Sequence, residues 1–147
     1  GISRACSHQL VRHRLASYSQ QSQRYCKIDV STNDWYVVPP DLDEMSSFIF
    51  KQAMASDASA YLSLLNAGIK PEDARYVLPN ACTTDISVTM NLREFYHFTD
   101  LRCKSNAQWE IRELAIKMME TLSAHDEEWQ YLLSLPILCA CKNEGVQ

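Results

Sequence analysis

Side chains that could hold an anion are concentrated between Arg12 and Arg24. This segment, RHRLASYSQQSQR, contains three arginines, one histidine, three serines and three glutamines but no carboxylate. Guanidinium groups that lack a counter-charge repel one another and are costly to desolvate, so an anionic ligand is the simplest missing partner. The donor fork of arginine matches phosphate oxygens, and glutamine amides can hydrogen-bond to the edge of a base or flavin ring. The composition predicts a site for a phosphate-bearing small molecule.

The distribution of charge along the chain favours the same prediction. The formal net charge is −4, yet residues 1–28 hold five basic side chains and no acidic one, whereas the remaining 119 hold 9 basic and 18 acidic. An excess of positive charge concentrated in one segment favours a small anion, because a long polyanion needs basic residues spread over a face. Two alternatives stay open. The arginines can simply mark a solvated helix end, or a basic arm with Tyr18 and Tyr25 could stack RNA bases in a helical nucleic-acid-binding module without catalysis.

Composition and cysteine content limit the class of protein. The chain has 147 residues, 46% apolar and 22% charged, which is typical of one compact domain. No apolar run reaches the roughly 18–20 residues of a membrane-spanning helix, and the amino end lacks a secretory signal pattern, so we expect a cytoplasmic protein without membrane contact. The six cysteines are interpreted as reduced thiols, mostly buried. Only Cys139 and Cys141 lie close in sequence, with a spacing that suits zinc poorly, so we expect no metal site.

Two long amphipathic helices are predicted from apolar spacing and end signals. An apolar stripe from Ile111 to Leu122 predicts a helix over about 106–124. A capping box that starts at Asp41 and a stop at Gly68 predict another over about 42–67. The apolar face of this second helix is predicted to include Met45, Phe48, Ile49, Tyr61, Leu62 and Leu65.

Shorter elements complete the predicted fold. Helices are expected over 2–14, 71–77 and 92–101, strands over 35–38 and 86–90, and a Ser/Gln-rich loop over 17–23. No internal repeat or linker divides the chain. We therefore predict an α+β fold: one helix-rich domain with a small antiparallel sheet, spanning residues 1–147.

The segment from Arg12 to Arg24 resembles the signature of the flavin-dependent thymidylate synthases. That signature is Arg-His-Arg, two residues, Ser, four residues, Ser, one residue and Arg, and it is met by Arg12, His13, Arg14, Ser17, Ser22 and Arg24. Three further segments resemble the family in the same order: DARYVLP at 73–79, NLRE at 91–94, and the stretch from LR at 101–102 to AQWEIR at 107–112. The resemblance covers nearly the whole chain.

The resemblance implies a reductive methylation. Deoxyuridine monophosphate (dUMP) would receive a one-carbon unit from methylenetetrahydrofolate, and flavin adenine dinucleotide (FAD), reduced by NAD(P)H, would supply the hydride. Family members are homotetramers whose active sites draw on several subunits. The expected partners are therefore dUMP, folate and further copies of the chain, and not nucleic acid.

The resemblance also implies roles for individual residues. Arg102 matches the arginine that contacts the uracil ring and favours loss of its ring proton, as a fixed cation beside an ionising imide would. The positions that match nucleotide contacts are Gln9, Arg12, Gln20, Ser22, Gln23, Arg24, Arg75 and Arg102. The positions that match flavin contacts are Arg12, His13, Arg14, Gln20, Asn91, Arg93 and His97. Helix capping would also explain Asn91, and partial burial would explain His97.

The chain departs from the family pattern in two ways. Members often carry Asn-Glu where this chain has Ser19-Gln20, so an amide replaces a carboxylate and any acid–base role there is lost. The family's leading segment, with its strands and part of the flavin pocket, is expected to be missing before Gly1.

The unrelated class of thymidylate synthase uses a cysteine nucleophile, and Cys26 lies near Arg24 in the sequence. The hydride route needs no covalent step, so Cys26 is interpreted as structural.

Overall fold

The computed structural model describes residues 1–125 and 127–134. Over these residues it is helix-rich, with two small two-stranded sheets, as the α+β prediction requires. The elements in chain order are β1 (Ile2–Ser3), α1 (Arg4–Leu10), β2 (Ala16–Gln20), α2 (Glu44–Asn66), α3 (Pro71–Ala74), a 3₁₀ turn (Arg75–Val77), β3 (Thr83–Thr84), β4 (Ile86–Met90), α4 (Leu92–Arg102), α5 (Trp109–Ser123) and α6 (Glu127–Ser134).

The chain folds into two compact units. The first unit contains residues 1–7 and 19–87, and the second contains residues 8–18 and the described residues from 88 to 134. β2 and β4 pair with each other in the second two-stranded sheet. The prediction of one domain over 1–147 stays a prediction.

The first unit is built around α2 and the β1–β3 pair. β1 and β3 are antiparallel, with Ile2 opposite Thr84. The core of this unit contains Trp35, Met54 and Cys82, all buried. Because these side chains come from a loop, a helix and a chain segment just before β3, the core connects all three parts of the unit.

The ends of α2 are fixed by local hydrogen bonds. Asp43 is the N-cap, and its carboxylate accepts from the backbone N–H of Ser46. Gly68 follows the helix with a φ of 85°, where the N–H groups of Gly68 and Ile69 donate to the carbonyls of the last turn. Glycine adopts this left-handed conformation without a Cβ penalty, so the predicted stop at Gly68 is confirmed. The predicted cap at Asp41 is wrong by two residues.

The apolar face predicted for α2 is only partly buried. Tyr61 is fully buried and, with Met54, is one of the two buried residues of this helix. Met45, Phe48 and Ile49 are exposed, and so is Leu62. Helical spacing identifies which side chains share a face, but burial depends on whether another element packs over that face.

The second unit is built from α4, α5 and α6. Asn91 caps α4 by accepting from the N–H of Glu94, and Gln108 caps α5 by accepting from the N–H groups of Glu110 and Ile111. The predicted start of α5 near residue 106 is therefore about three residues early. α5 buries Ile111, Ala115 and Met119, in agreement with the predicted stripe, and α4 buries Phe95 and Phe98.

The secondary structure of residues 2–23, which include most of the arginine motif, differs from the prediction. The expected helix over 2–14 is only α1, preceded by β1, and β2 includes the first four residues of the expected loop over 17–23. A turn follows α1, in which the backbone N–H of His13 donates to the carbonyl of Leu10 at 3.1 Å. The Tyr18 hydroxyl donates to the carbonyls of Leu10 and His13, at 2.9 and 2.7 Å. The predicted strand over 35–38 is reduced to one bridge, between Tyr36 and Cys82.

Two general expectations can also be compared with the structure. Among the described residues, no helix combines the length and apolar character needed to cross a bilayer. Cys6, Cys26 and Cys82 are free thiols, but Cys103 is disulfide-bonded. The interpretation of all six cysteines as reduced thiols is therefore wrong for Cys103.

Candidate active site

Arg102, in the last turn of α4, is held by two groups of the second unit. Its Nε donates to Nε2 of His13 at 3.0 Å, and its Nη2 donates to the backbone carbonyl of Gln9 at 3.5 Å. Both acceptors lie at or just after the end of α1, and the Gln9 carbonyl also accepts from the backbone N–H of Arg12 at 3.3 Å. The guanidinium is partly exposed. We refer to Gln9, His13, Glu94 and Arg102 as the Arg102 cluster.

His13 connects Arg102 to a buried carboxylate. The His13 and Glu94 side chains are each 3% exposed, and Nδ1 of His13 lies 3.4 Å from Oε1 of Glu94. Nδ1 has no partner with hydrogen-bond geometry in the part of the chain that the structure describes. Phe98 packs edge-on against the imidazole, with ring centroids 5.0 Å apart. The imidazole is therefore enclosed on several sides.

The surroundings of His13 favour its neutral form. Burial lowers the pKa of His13 below its ordinary value of 6.5, and the adjacent Arg102 cation lowers it further. Glu94 opposes this shift without cancelling it. A neutral imidazole keeps a lone pair on Nε2, which the hydrogen bond from Arg102 requires.

The other predicted flavin residues of the second unit lie mostly at its surface. Arg12, Arg14, Asn91, Arg93 and His97 are all exposed. Asn91 caps α4, as its second interpretation requires, and the ring centroid of His97 lies 5.9 Å from that of His13. Within the described residues, no carboxylate forms an ion pair with Arg12, Arg14 or Arg93. Exposed guanidinium groups without a protein counter-charge suit the pyrophosphate of a flavin dinucleotide.

The first unit holds a second group of predicted residues. Nε of Arg24 donates to Oε2 of Glu72 at 2.6 Å, in a pair whose side chains are 56% and 32% exposed. Nε of Arg75 donates to the backbone carbonyl of Glu72 at 3.0 Å. The hydrogen bond from Arg24 lowers the pKa of the Glu72 carboxyl below its ordinary value. The motif arginines are predicted to lack a carboxylate partner, and this prediction is wrong for Arg24, because Glu72, 48 residues further along the chain, pairs with it.

The polar residues between the arginines have protein partners in the first unit. Nε2 of Gln20 donates to the hydroxyls of Ser7 and Thr84, at 3.0 and 3.2 Å. Gln23 is buried and donates to Sγ of Cys82 at 3.4 Å. The Ser22 hydroxyl accepts from the backbone N–H of Arg24 at 3.2 Å. Of these three side chains, only that of Ser22 has a hydrogen bond to one of the predicted arginines among the described residues.

The family of the chain follows from comparison with known sequences. The profile of the thymidylate synthase complementing protein family matches residues 1–126. The chain belongs to this family. The predicted resemblance is therefore confirmed.

Curated relatives in this family are closely similar. The flavin-dependent thymidylate synthase of Pyrococcus furiosus is 48% identical over 130 residues, which are 86% of this chain and 53% of that protein. The enzyme of the same name from Geobacter sulfurreducens is 54% identical over 123 residues, covering 81% of this chain and 52% of that protein. The chain spans about half the length of the curated relatives it matches.

Solved structures show that the thymidylate synthase complementing fold extends to more distant proteins. The UMP/dUMP methylase PolB from Streptomyces cacaoi, bound with 5-Br UMP, superposes with a TM-score of 0.70 at 23% identity, covering 84% of this chain and 66% of that one. The same protein bound with 5-Br dUMP gives a TM-score of 0.74 at 20% identity, covering 90% and 68%. The fold is shared at low sequence identity.

Two carboxylates of this family member were missed as site residues. No site role is predicted for Glu94, although its side chain faces His13. None is predicted for Glu72, although its side chain faces Arg24. Each lies in a segment that resembles the family or directly precedes one, which is the only sequence signal that could have indicated them. In the described part of the chain, no three His, Cys, Asp or Glu side chains are arranged to hold a metal ion.

Proposed function

We propose that this chain acts in a flavin-dependent thymidylate synthase, which methylates dUMP to dTMP. Methylenetetrahydrofolate would donate the carbon unit, and FAD, reduced by NAD(P)H, would supply the hydride. The observation that carries the proposal is Arg102, a partly exposed guanidinium fixed by His13 and Gln9. The names of the curated relatives support the same activity.

Arg102 would act on the uracil ring by electrostatic stabilisation. Two hydrogen bonds to protein fix the Nε–Nη2 edge of the guanidinium, so its remaining N–H groups can donate to a ligand. A cation held next to a uracil imide stabilises the ring anion that forms when the imide loses its proton. Electron density then rises at the ring carbon to be methylated. Because Arg102 is fixed before substrate binds, little reorganisation accompanies this step.

The dUMP phosphate would be bound by arginines of the motif and of the 3₁₀ turn. Arg24 is exposed and paired with a carboxylate that solvent also reaches, so an anion can replace Glu72 at small cost. The Nε of Arg75 is held by the Glu72 carbonyl, and within the described residues its Nη groups make no hydrogen bond, so they can donate to a phosphate. We assign Gln9, Arg12, Gln20, Ser22 and Gln23 to the same nucleotide, as the family resemblance implies.

FAD would be bound by the exposed cations of the second unit. Arg12, Arg14 and Arg93 would hold its pyrophosphate, and Asn91 and His97 would lie against the rest of the coenzyme. Gln20 and His13 complete the assigned flavin set. When bound and reduced, FAD supplies a hydride; the protein supplies binding, orientation and exclusion of water.

The assembly is proposed to be a homotetramer in the cytoplasm, with active sites shared between subunits. The family resemblance supports this arrangement. Size-exclusion chromatography with light scattering would measure it directly, and a monomer at micromolar concentration would contradict it.

The deciding experiment is spectroscopic. The purified native protein should be yellow, and dUMP should perturb its flavin absorbance, with incubation in NAD(P)H and methylenetetrahydrofolate giving dTMP. A colourless protein that binds RNA with a steep salt dependence would contradict the proposal and favour the nucleic-acid-binding alternative.

A further inference from the structure

Hydrogen bonding in the Arg102 cluster determines which nitrogen of His13 carries the proton. Arginine is always a donor, so His13 Nε2, at 3.0 Å from Arg102 Nε, must be the acceptor. A neutral imidazole has one N–H and one lone pair, and the proton must therefore lie on Nδ1. This tautomer is a consequence of the contact with Arg102.

The Nδ1 proton is buried next to the Glu94 carboxylate. Glu94 Oε1 lies 3.4 Å from Nδ1, and Nδ1 has no hydrogen-bond partner among the described residues. The imidazole and the carboxylate are both almost fully buried, so water does not compete for either group. A buried N–H without a partner is costly, and a small shift of either side chain would complete this hydrogen bond.

We propose that Glu94 and His13 are positioning residues for Arg102. The Glu94 carboxylate holds the proton on His13 Nδ1, which leaves the Nε2 lone pair to fix the Arg102 guanidinium at the angle that substrate requires. This inference rests on the proposed function, in which Arg102 contacts the uracil ring. It assigns Glu94, beyond its place in the first turn of α4, to the organisation of the active site.

The charges around His13 are consistent with this order. Arg102 and His97 both disfavour protonation of His13, whereas Glu94 favours it. Tyr18, near the same carboxylate, has a raised pKa because of burial and the Glu94 charge. If His13 gained a second proton, Nε2 would stop accepting and two cations would face each other, so Arg102 would lose its main anchor. Turnover should therefore fall at the acid side of the pH profile.

The tautomer can be measured without any substitution. In native protein labelled with ¹⁵N-histidine, the protonated and unprotonated ring nitrogens have different shifts. We expect His13 to be neutral at pH 7.5 with its proton on Nδ1. An Nε2–H tautomer or a doubly protonated ring would overturn the proposal. This readout does not depend on turnover, so it stays decisive even if the proposed function is wrong.

The role of Glu94 is tested by Glu94→Gln in the native protein, with Asp100→Asn as a matched control. Asp100 lies on the same helix, is exposed and pairs with Lys104. We expect Glu94→Gln to lower kcat about a hundredfold, since a displacement of the Arg102 guanidinium by about 1 Å can reduce the rate that much. The flavin content of the protein should be unchanged. Asp100→Asn should match the native enzyme.

The pH profile separates positioning from a merely structural role. Glu94 raises the pKa of His13, so Glu94→Gln should move the acid limb of kcat to lower pH. Native kcat with an unshifted profile in Glu94→Gln would overturn the proposal while leaving the thymidylate synthase assignment intact. If Glu94→Gln does not fold, Glu94→Asp replaces it in the test. Aspartate keeps the charge but shortens the side chain. We expect its kcat to fall less than a hundredfold, and the acid limb of its pH profile not to move to lower pH. Native kcat in Glu94→Asp, or an acid limb moved to lower pH, would overturn the proposal.

Discussion

Two glutamates, one in each unit, face side chains assigned to ligand binding, but solvent reaches only one of them. Glu72 and its partner Arg24 are 32% and 56% exposed, at a distance of 2.6 Å. Glu94 and its neighbour His13 are each 3% exposed, at 3.4 Å. The shorter contact is therefore the one that water screens.

The difference shows how burial divides two tasks that need the same residue types. An exposed arginine–carboxylate pair contributes little to stability and can exchange its carboxylate for a ligand phosphate. A buried group cannot exchange partners without leaving a desolvated polar atom behind, so it fixes geometry instead. We expect the first unit's pair to tune affinity and the second unit's cluster to control turnover.

The largest expected effect is that of Arg102→Lys on turnover. Lysine keeps the positive charge but lacks the planar fork that binds His13 and the substrate together. We expect kcat to fall about 10²–10³-fold, the range found when one donor that stabilises an anion is removed. Steady-state kinetics with dUMP would measure it, and Arg112→Lys on α5 is the matched control. Unchanged kcat in Arg102→Lys would remove Arg102 from the mechanism.

A smaller effect is expected for Arg24→Gln in the first unit. Loss of one charge-assisted hydrogen bond at an exposed site should weaken dUMP binding about tenfold, with kcat at saturating dUMP nearly unchanged. Flavin absorbance titrated with dUMP gives the dissociation constant. Lys27→Gln removes an exposed cation close by in sequence and should leave binding as it is. A large fall in kcat for Arg24→Gln would show that the two tasks are not divided between the units.

The fold was predictable where local signals determine it. The alternation over Ile86–Met90 gives β4 with its exact bounds, and Asn91 with Glu94 gives the start of α4. β2 was missed because Ser, Gln and Tyr at 17–20 resemble a loop, and the strand depends on pairing with β4, about 70 residues away. Interactions between distant segments leave no local pattern that a single sequence displays.

The candidate site was predictable in its residue types but not in its pairings. The signature indicated Arg12 to Arg24, and the family resemblance indicated Arg102. That His13 would accept from Arg102, 89 residues away, could not be read from either segment. Nor could the partners of Arg24 and Gln23, which lie on α3 and beside β3.

The pH dependence of stability should report the buried cluster. Because the pKa of His13 is lowered in the folded chain, the unfolded state binds more protons between that value and about 6.5. The free energy of unfolding should therefore be fully retained above about pH 6.5 and should fall as the pH drops below it. Urea titrations between pH 7.5 and 5.5 would measure the slope. His13→Gln should flatten it, whereas His8→Gln, at an exposed site, should not; equal slopes in all three proteins would contradict this account.

The smallest expected effect is that of Glu72→Gln on stability. The pair with Arg24 is exposed, so the lowered pKa of Glu72 reflects an interaction that solvent largely screens. Arg75 donates to the backbone carbonyl of Glu72, which the substitution leaves in place. We expect no measurable shift of the urea midpoint, and dUMP binding at least as tight as in the native protein, because Arg24 loses a competing partner. A clearly lower midpoint, or weaker dUMP binding, would mean that this carboxylate organises its arginine as Glu94 is proposed to organise His13, and the contrast between the two units would then be lost.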